Sequence, residues 1–183
     1  MLKTLIFSAL LVVVLFVVIR RKRSRNPMLR LGDPIPNVTA ITQDGNTVKL
    51  AVEHERGYLL VYFYPKALTP GCTAQACSLR DAYAELTTEG ITIYGVSLDN
   101  AATQKRFRDK EHLPFSLIAD TDRKVSSAFG VPVTLNLFAA RQAYLFKEGR
   151  LVWFDVHAST SRQAKDVLAV MKRPASARVR FEF

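Results

Sequence analysis

The order of apolar and polar residues along the body of the chain alternates between the patterns of buried strands and of helices. Residues 58–64 (YLLVYFY) and 91–98 are largely apolar runs, typical of strands covered on both faces of a sheet. Shorter strands are predicted over 114–118, 142–146 and 151–156, and a hairpin with an Asp-Gly turn over 41–48. Helical patterns cover 74–88, 101–111, 125–129 and 161–172, with Ser161 as a plausible cap of the last. Together they predict an α/β domain with a central mixed sheet flanked by helices.

A separate apolar segment precedes this domain. Residues 4–19 carry no charge, and as a helix they would be roughly 24 Å long, close to the bilayer hydrocarbon thickness of about 30 Å. The basic residues at 20–25 make a poor cleavage site, which disfavours the alternative of a signal peptide. A buried core helix is a third possibility, and it is disfavoured because such a helix would need one polar side. We therefore predict a transmembrane anchor over 1–19, a basic linker over 20–30, the folded domain over 31–173 and a tail of unknown structure over 174–183.

The net charge of +10 lies at the two ends of the chain rather than in the predicted domain. Residues 1–30 hold seven Lys or Arg and no acid, whereas residues 31–171 hold fifteen residues of each sign. A nucleic-acid groove would concentrate basic residues in the folded part, so nucleic acid is disfavoured as a partner. By the positive-inside rule, the basic cluster predicts a single-pass membrane protein with its domain on the cytoplasmic face. A periplasmic or exported domain is the alternative.

The candidate chemistry rests on two cysteines, Cys72 and Cys77. Two cysteines are too few for a disulfide framework, and with three scattered histidines they match no zinc spacing, so no metal site is predicted. Cys72 follows Pro70 and Gly71 at a predicted helix start, just beyond the carboxyl end of the 58–64 strand. Free amide N–H groups and the helix dipole there favour a thiolate, which is the nucleophilic form of cysteine. The alternative for either residue is an inert buried cysteine.

The spacing of the two cysteines bears on whether they can join. In one regular helix, residues five apart have Cα atoms about 8.6 Å from each other, whereas a disulfide requires a Cα separation below about 7 Å. If Cys72 and Cys77 form a redox pair, oxidation must therefore unwind the first turns of the predicted helix. If Cys77 is a core residue on the inward helix face, no such change is needed.

The stretch around Cys72 resembles the active-site motif of the peroxiredoxins, and in particular of their bacterioferritin-comigratory or Q-type branch. Residues 63–73 (FYPKALTPGCT) hold Pro65, Thr69 and Cys72 at the spacing Pro-x3-Thr-x2-Cys, followed by Cys77. The resemblance implies a thioredoxin-like fold, with Cys72 as the peroxidatic cysteine and Cys77 as the resolving cysteine. It further implies that Pro65 shields the sulfur, that Thr69 binds the peroxide, and that a distant arginine completes the site. Arg141, which precedes a late strand, fits that position; a surface arginine of a hairpin is the alternative.

The resemblance also implies a reaction and its partners. Cys72 would reduce hydrogen peroxide or organic hydroperoxides and become a sulfenic acid, and Cys77 would condense with it to an internal disulfide. Thioredoxin or a similar dithiol protein would reduce that disulfide, without a metal or organic cofactor. The expected role is antioxidant defence, in a monomer or weak dimer. The alternatives are a thiol–disulfide oxidoreductase, which normally has Cys-x-x-Cys, and a catalytically silent, membrane-anchored redox adaptor.

Overall fold

The computed structural model describes residues 27–53 and 56–172. The strands are β1 (Thr39–Ile41), β2 (Thr47–Lys49), β3 (Tyr58–Phe63), β4 (Ile91–Ser97), β5 (Ser116–Ala119), β6 (Val133–Thr134), β7 (Phe138–Ala139), β8 (Gln142–Lys147) and β9 (Arg150–Asp155). The helices are α1 (Leu50–Glu53), α2 (Pro70–Asp81), α3 (Tyr83–Thr88), α4 (Ala101–Glu111), α5 (Lys124–Ala128) and α6 (Gln163–Met171).

A five-stranded mixed sheet forms the centre of the domain, in the order β5-β4-β3-β8-β9. Strands β3, β4 and β5 are parallel, as expected where helices α2 to α4 connect them. Strand β8 pairs antiparallel with β3 and with β9, which it joins through a tight turn. The pairs β1–β2 and β6–β7 form two small antiparallel sheets. The predicted mixed sheet is thereby confirmed, while the β6–β7 pair and the short α1 were not predicted.

The apolar run of β3 explains why the helices cover both faces of the sheet. All six of its residues are buried, and successive side chains point to opposite faces. Leu60 and Tyr62 pack into a core cluster that contains residues of α2, α4 and α6. Leu59 and Phe63 pack into a second cluster with residues of β1, β2 and α5. Burial on both faces holds β3 rigidly, and its carboxyl end is the point from which the chain enters α2.

The largest differences from the predicted helices concern α2, α3 and α6. The segment predicted as one helix over 74–88 forms α2 and α3, with a break at Ala82. Helix α2 begins at Pro70, where proline needs no N–H partner and its φ already suits a helix. The last helix begins at Gln163 rather than at the predicted cap Ser161. There the Ser159 hydroxyl accepts hydrogen bonds from the backbone N–H groups of Ser161 and Arg162, so a turn occupies the predicted first residues.

The predicted fold class is corrected with respect to its membrane anchor. Within residues 27–53 and 56–172, no helix has the length and apolar character that a bilayer crossing requires. The longest of these helices, α2, has 12 residues, against about 20 for a membrane span. The predicted anchor at 1–19, most of the linker and the tail at 174–183 lie outside the described residues. The transmembrane helix and the single-pass membrane localisation are accordingly not supported.

Candidate active site

The loop between β3 and α2 is fixed by a carboxylate from the neighbouring strand end. Asp99, which follows β4, accepts hydrogen bonds from the backbone N–H of Ala67 at 2.8 Å and from the Ser97 hydroxyl at 2.8 Å. It also pairs with the Lys66 ammonium at 3.2 Å. The Asp99 side chain is only 6% exposed, so these partners balance the cost of burying its charge. Because β3 and β4 are parallel neighbours, their carboxyl ends meet here and hold the loop that leads to Cys72.

Cys72 lies in the first turn of α2, where the backbone N–H groups have no partner within the helix. Its side chain is buried, at 2% exposure. The Arg141 guanidinium donates to the Cys72 Sγ through Nη2, over 3.3 Å. A cation and a helix N-terminus therefore both lie beside the sulfur. The predicted helix-start position of Cys72 is thus observed.

Sheet register brings Arg141 to Cys72 although 69 residues separate them. Gln142 of β8 pairs with Phe63 of β3, so Arg141 reaches the sheet edge just where β3 runs into the cysteine loop. A second hydrogen bond joins Arg141 Nη1 to the Gln75 Oε1. Gln75 in turn donates through Nε2 to the Gln163 Oε1, over 2.8 Å. Arg141 is half-buried and its guanidinium contacts both Cys72 and Gln75, while its role in completing the site stays a prediction.

Thr69 and Pro65 belong to the loop between β3 and α2 that precedes Cys72 in the chain. Thr69 is the N-cap of α2, in extended conformation, and its backbone carbonyl accepts from the Thr73 N–H at 2.8 Å. Its hydroxyl donates to the Lys66 carbonyl at 2.9 Å, which leaves the oxygen lone pairs open to accept a hydrogen bond. Pro65 directly follows the buried Tyr64 and is itself half-buried. The roles predicted for Thr69 and Pro65 in binding and shielding remain predictions.

Cys77 lies five residues further along α2, beside the end of α4. Both cysteines are free thiols, and the Cys77 Sγ lies 3.8 Å from a carboxylate oxygen of Glu111, at the end of α4. Burial raises the pKa of the Cys77 thiol, the nearby Arg80 guanidinium opposes this, and the Glu111 charge adds to it. Arg80 is bound to Asp81 at 2.8 Å and to the Glu111 carbonyl at 2.8 Å. Both cysteines belong to the continuous helix α2, so they cannot join in this conformation.

Three further polar residues of the site were missed from the sequence. Gln75 and Gln163 are buried in an otherwise apolar helix interface, and Asp99 holds the loop. Gln75 could have been found, because it is the polar member of the buried α2 face that also carries Cys72, Ala76 and Leu79. No signal in the sequence pairs Gln75 with Gln163, which is 88 residues away. Within the described part of the chain, no group of three or more potential metal ligands converges at this or another place.

Comparisons with known proteins identify a matching family and similar sequences. The family model described as AhpC/TSA matches residues 31–154. A chloroplastic putative peroxiredoxin Q of Oryza sativa subsp. indica is 40% identical over 124 residues, which are 67% of this chain and 57% of that protein. Peroxiredoxin Bcp of Escherichia coli strain K12 is 46% identical over 106 residues, 58% of this chain and 67% of that protein. The chain thus spans little more than half the length of the rice relative.

Solved structures extend the similarity to the fold. Peroxidoxin BcpB from Mycobacterium tuberculosis superposes with a TM-score of 0.73 at 26% identity, covering 79% of this chain and 97% of that one. Peroxiredoxin Q from Xanthomonas campestris superposes with a TM-score of 0.70 at 28% identity, covering 79% of this chain and 95% of that one. These similarities support the thioredoxin-like α/β fold that the sequence motif implied.

Proposed function

The chain belongs to the AhpC/TSA family, and from this membership and the surroundings of Cys72 we propose that it is a thiol-dependent peroxidase acting on hydrogen peroxide and organic hydroperoxides. The observation that carries the proposal is the Arg141 guanidinium 3.3 Å from the Cys72 sulfur, at the N-terminus of α2. A sulfur in these surroundings is a nucleophile, because both the helix end and the cation stabilise its anion.

In the peroxidatic step, the Cys72 thiolate attacks one oxygen of the peroxide. The S–O bond forms as the O–O bond breaks, so that Cys72 becomes a sulfenic acid and the other oxygen leaves as an alkoxide or hydroxide. That oxygen takes up a proton to give alcohol or water. Arg141 stabilises the negative charge that develops on the two oxygens. The Thr69 hydroxyl, which already donates to a carbonyl, accepts the O–H hydrogen of the peroxide.

In the resolving step, the Cys77 thiolate attacks the sulfenic sulfur, hydroxide leaves and is protonated to water, and a Cys72–Cys77 disulfide forms. This step requires α2 to unwind between the two residues, since a regular helix keeps their Cα atoms about 8.6 Å apart. An external dithiol protein such as thioredoxin then reduces the disulfide, which returns both thiols and allows α2 to reform.

Single substitutions at the two cysteines test the reaction. In Cys72→Ser we expect no peroxide consumption above background, because the serine hydroxyl is not ionised near neutral pH. In Cys77→Ser we expect one equivalent of peroxide to be consumed, with a sulfenic acid trapped at Cys72, and no turnover with thioredoxin. Retained peroxide turnover in Cys72→Ser would refute the proposal. Slow, unselective oxidation of both cysteines in the parent protein would instead favour a silent adaptor, and disulfide exchange without a sulfenic acid would favour an oxidoreductase.

A further inference from the structure

Helix α6 contacts the active-site helix through a pair of buried amide side chains. Gln75 of α2 is fully buried and Gln163 of α6 is 1% exposed. Their hydrogen bond, from Gln75 Nε2 to Gln163 Oε1, measures 2.8 Å. The surrounding core consists of apolar side chains such as Ala76 and Val167. A buried amide in such surroundings strongly requires its partner, because an unmade hydrogen bond there is not replaced by water.

The direction of this hydrogen bond follows from Arg141. A guanidinium only donates, so the Gln75 atom that faces Arg141 must be its oxygen. The Gln75 nitrogen is therefore directed to α6, where it requires an acceptor, and Gln163 Oε1 is that acceptor. Each bond orients the next one, from Gln163 through Gln75 and Arg141 to the Cys72 sulfur. Without an acceptor at 163, the Gln75 amide would lose one of the two contacts that fix it.

Gln75 also lies between the two cysteines, in the part of α2 that has to unwind before a disulfide can form. Its bond to Gln163 exists only while this part is helical. Breaking the bond belongs to the unwinding, so the bond opposes disulfide formation. The bond between Gln75 and Gln163 thus favours the oxidation of Cys72, through Arg141, and opposes the formation of the disulfide.

We propose that Gln163 is a positioning residue with two effects: it orients Gln75 and Arg141 for the oxidation of Cys72, and it holds α2 helical against the resolving step. The proposal rests on the proposed peroxidase function for its kinetic part. Its structural part, the holding of α2, concerns the reduced protein and does not depend on any reaction.

The test compares Gln163→Met, which keeps the volume but removes the acceptor, with Gln163→Glu, which keeps an acceptor oxygen. Gln43→Met serves as a control, because Gln43 is also buried and hydrogen-bonded but lies in the β1–β2 hairpin, where it binds the backbone of β5. Sulfenic acid formation is timed in the Cys77→Ser background after one equivalent of hydrogen peroxide. The resolving step is timed separately in the chain with both cysteines, from the interval between the loss of the Cys72 thiol and the loss of the Cys77 thiol.

For Gln163→Met we expect slower sulfenic acid formation and disulfide formation that is about three- to tenfold faster, the factor that one net hydrogen bond corresponds to. Gln163→Glu should restore both rates toward those of the parent, and Gln43→Met should not separate them. Changes of both rates in the same direction in Gln163→Met, or rates equal to those of the parent, would overturn the kinetic part.

Hydrogen exchange of the reduced protein separates a failure of this proposal from a failure of the peroxidase proposal. Amides of residues 72–77 should exchange about three- to tenfold faster in Gln163→Met than in the parent, because local opening is easier. The same amides should be unchanged in Gln43→Met. If the parent forms no sulfenic acid, the peroxidase function is refuted, while exchange at 72–77 still decides the role of Gln163. Equal exchange in Gln163→Met and the parent would overturn that role.

Discussion

The stability of the first turns of α2 should set the rate at which the internal disulfide forms, and Gly71 offers a direct way to change it. Gly71 is the second residue of α2. A Cβ at this position would lie 3.5 Å from Arg141 Nη2 and 3.5 Å from Thr160 Cγ2, which is ordinary van der Waals contact. Gly71→Ala therefore fits the structure and removes the conformational freedom that glycine has in the unwound chain.

The magnitude follows from helix propensity. Alanine stabilises a helix over glycine by about 0.5–1 kcal/mol, which corresponds to a factor of about 2–5 in the population of the unwound segment. We expect Gly71→Ala to slow disulfide formation by that factor, without comparable effect on sulfenic acid formation. Ala74→Gly should speed disulfide formation by a similar factor, because Ala74 is exposed in the same turns and contributes mainly through propensity.

Rapid quenching with an alkylating reagent, followed by mass spectrometry, measures the loss of both thiols after one equivalent of peroxide. Ala102→Gly is the matched control, since Ala102 is exposed in α4, a helix that contains neither cysteine. It should lower overall stability to a similar extent and leave the disulfide rate unchanged. The reasoning is refuted if Ala102→Gly alters the disulfide rate as much as Ala74→Gly does, or if Gly71→Ala and Ala74→Gly do not act in opposite directions.

Three further outcomes follow from the buried polar groups. The buried hydroxyl of Tyr62 has no hydrogen-bond partner among the described residues, so Tyr62→Phe should raise the free energy of unfolding in urea by about 1–3 kcal/mol, and a decrease would contradict this. Burial and the Glu111 charge raise the pKa of the Cys77 thiol. In Cys72→Ser protein, the further substitution Glu111→Gln removes this charge and should therefore lower the pH midpoint of Cys77 alkylation. An unchanged or higher midpoint would be contrary evidence. Asp99→Ala leaves the loop before α2 without its hydrogen-bond acceptor. The free energy of unfolding in urea should therefore fall by about 1.5–3 kcal/mol. An unchanged free energy of unfolding would count against the role given to Asp99.

The features that follow from local pattern could be predicted from the sequence. The continuous apolar run of β3 predicted cover on both faces of the sheet. The alternation of strands and helices, with hairpins at the two ends, predicted the mixed sheet. The strand–loop–helix order placed Cys72 at a helix start, and the motif resemblance pointed to Arg141, which the sheet register brings to the sulfur. In each case, the information lay within a few residues of the feature or in a long, specific motif.

Features that depend on contacts distant in the chain were not predictable in this way. The bond between Gln75 and Gln163 depends on how α6 packs against α2, and no pattern within either helix specifies the pairing. The break between α2 and α3 at Ala82 has no glycine or proline to mark it. The membrane anchor was inferred from the apolar, uncharged segment at 1–19 and the basic residues that follow it, and the described helices do not support it.

The most direct test of the central claim measures how strongly Arg141 activates the Cys72 sulfur. In Cys77→Ser protein, where only Cys72 can react, the rate of sulfenic acid formation with hydrogen peroxide is compared between Arg141→Gln and Arg150→Gln. Arg150 is an exposed arginine at the opposite end of the same β8–β9 hairpin. We predict a loss of about 10²–10³-fold for Arg141→Gln, as for removal of a donor to developing charge, and the parent rate for Arg150→Gln. Equal rates in the two variants would contradict the account.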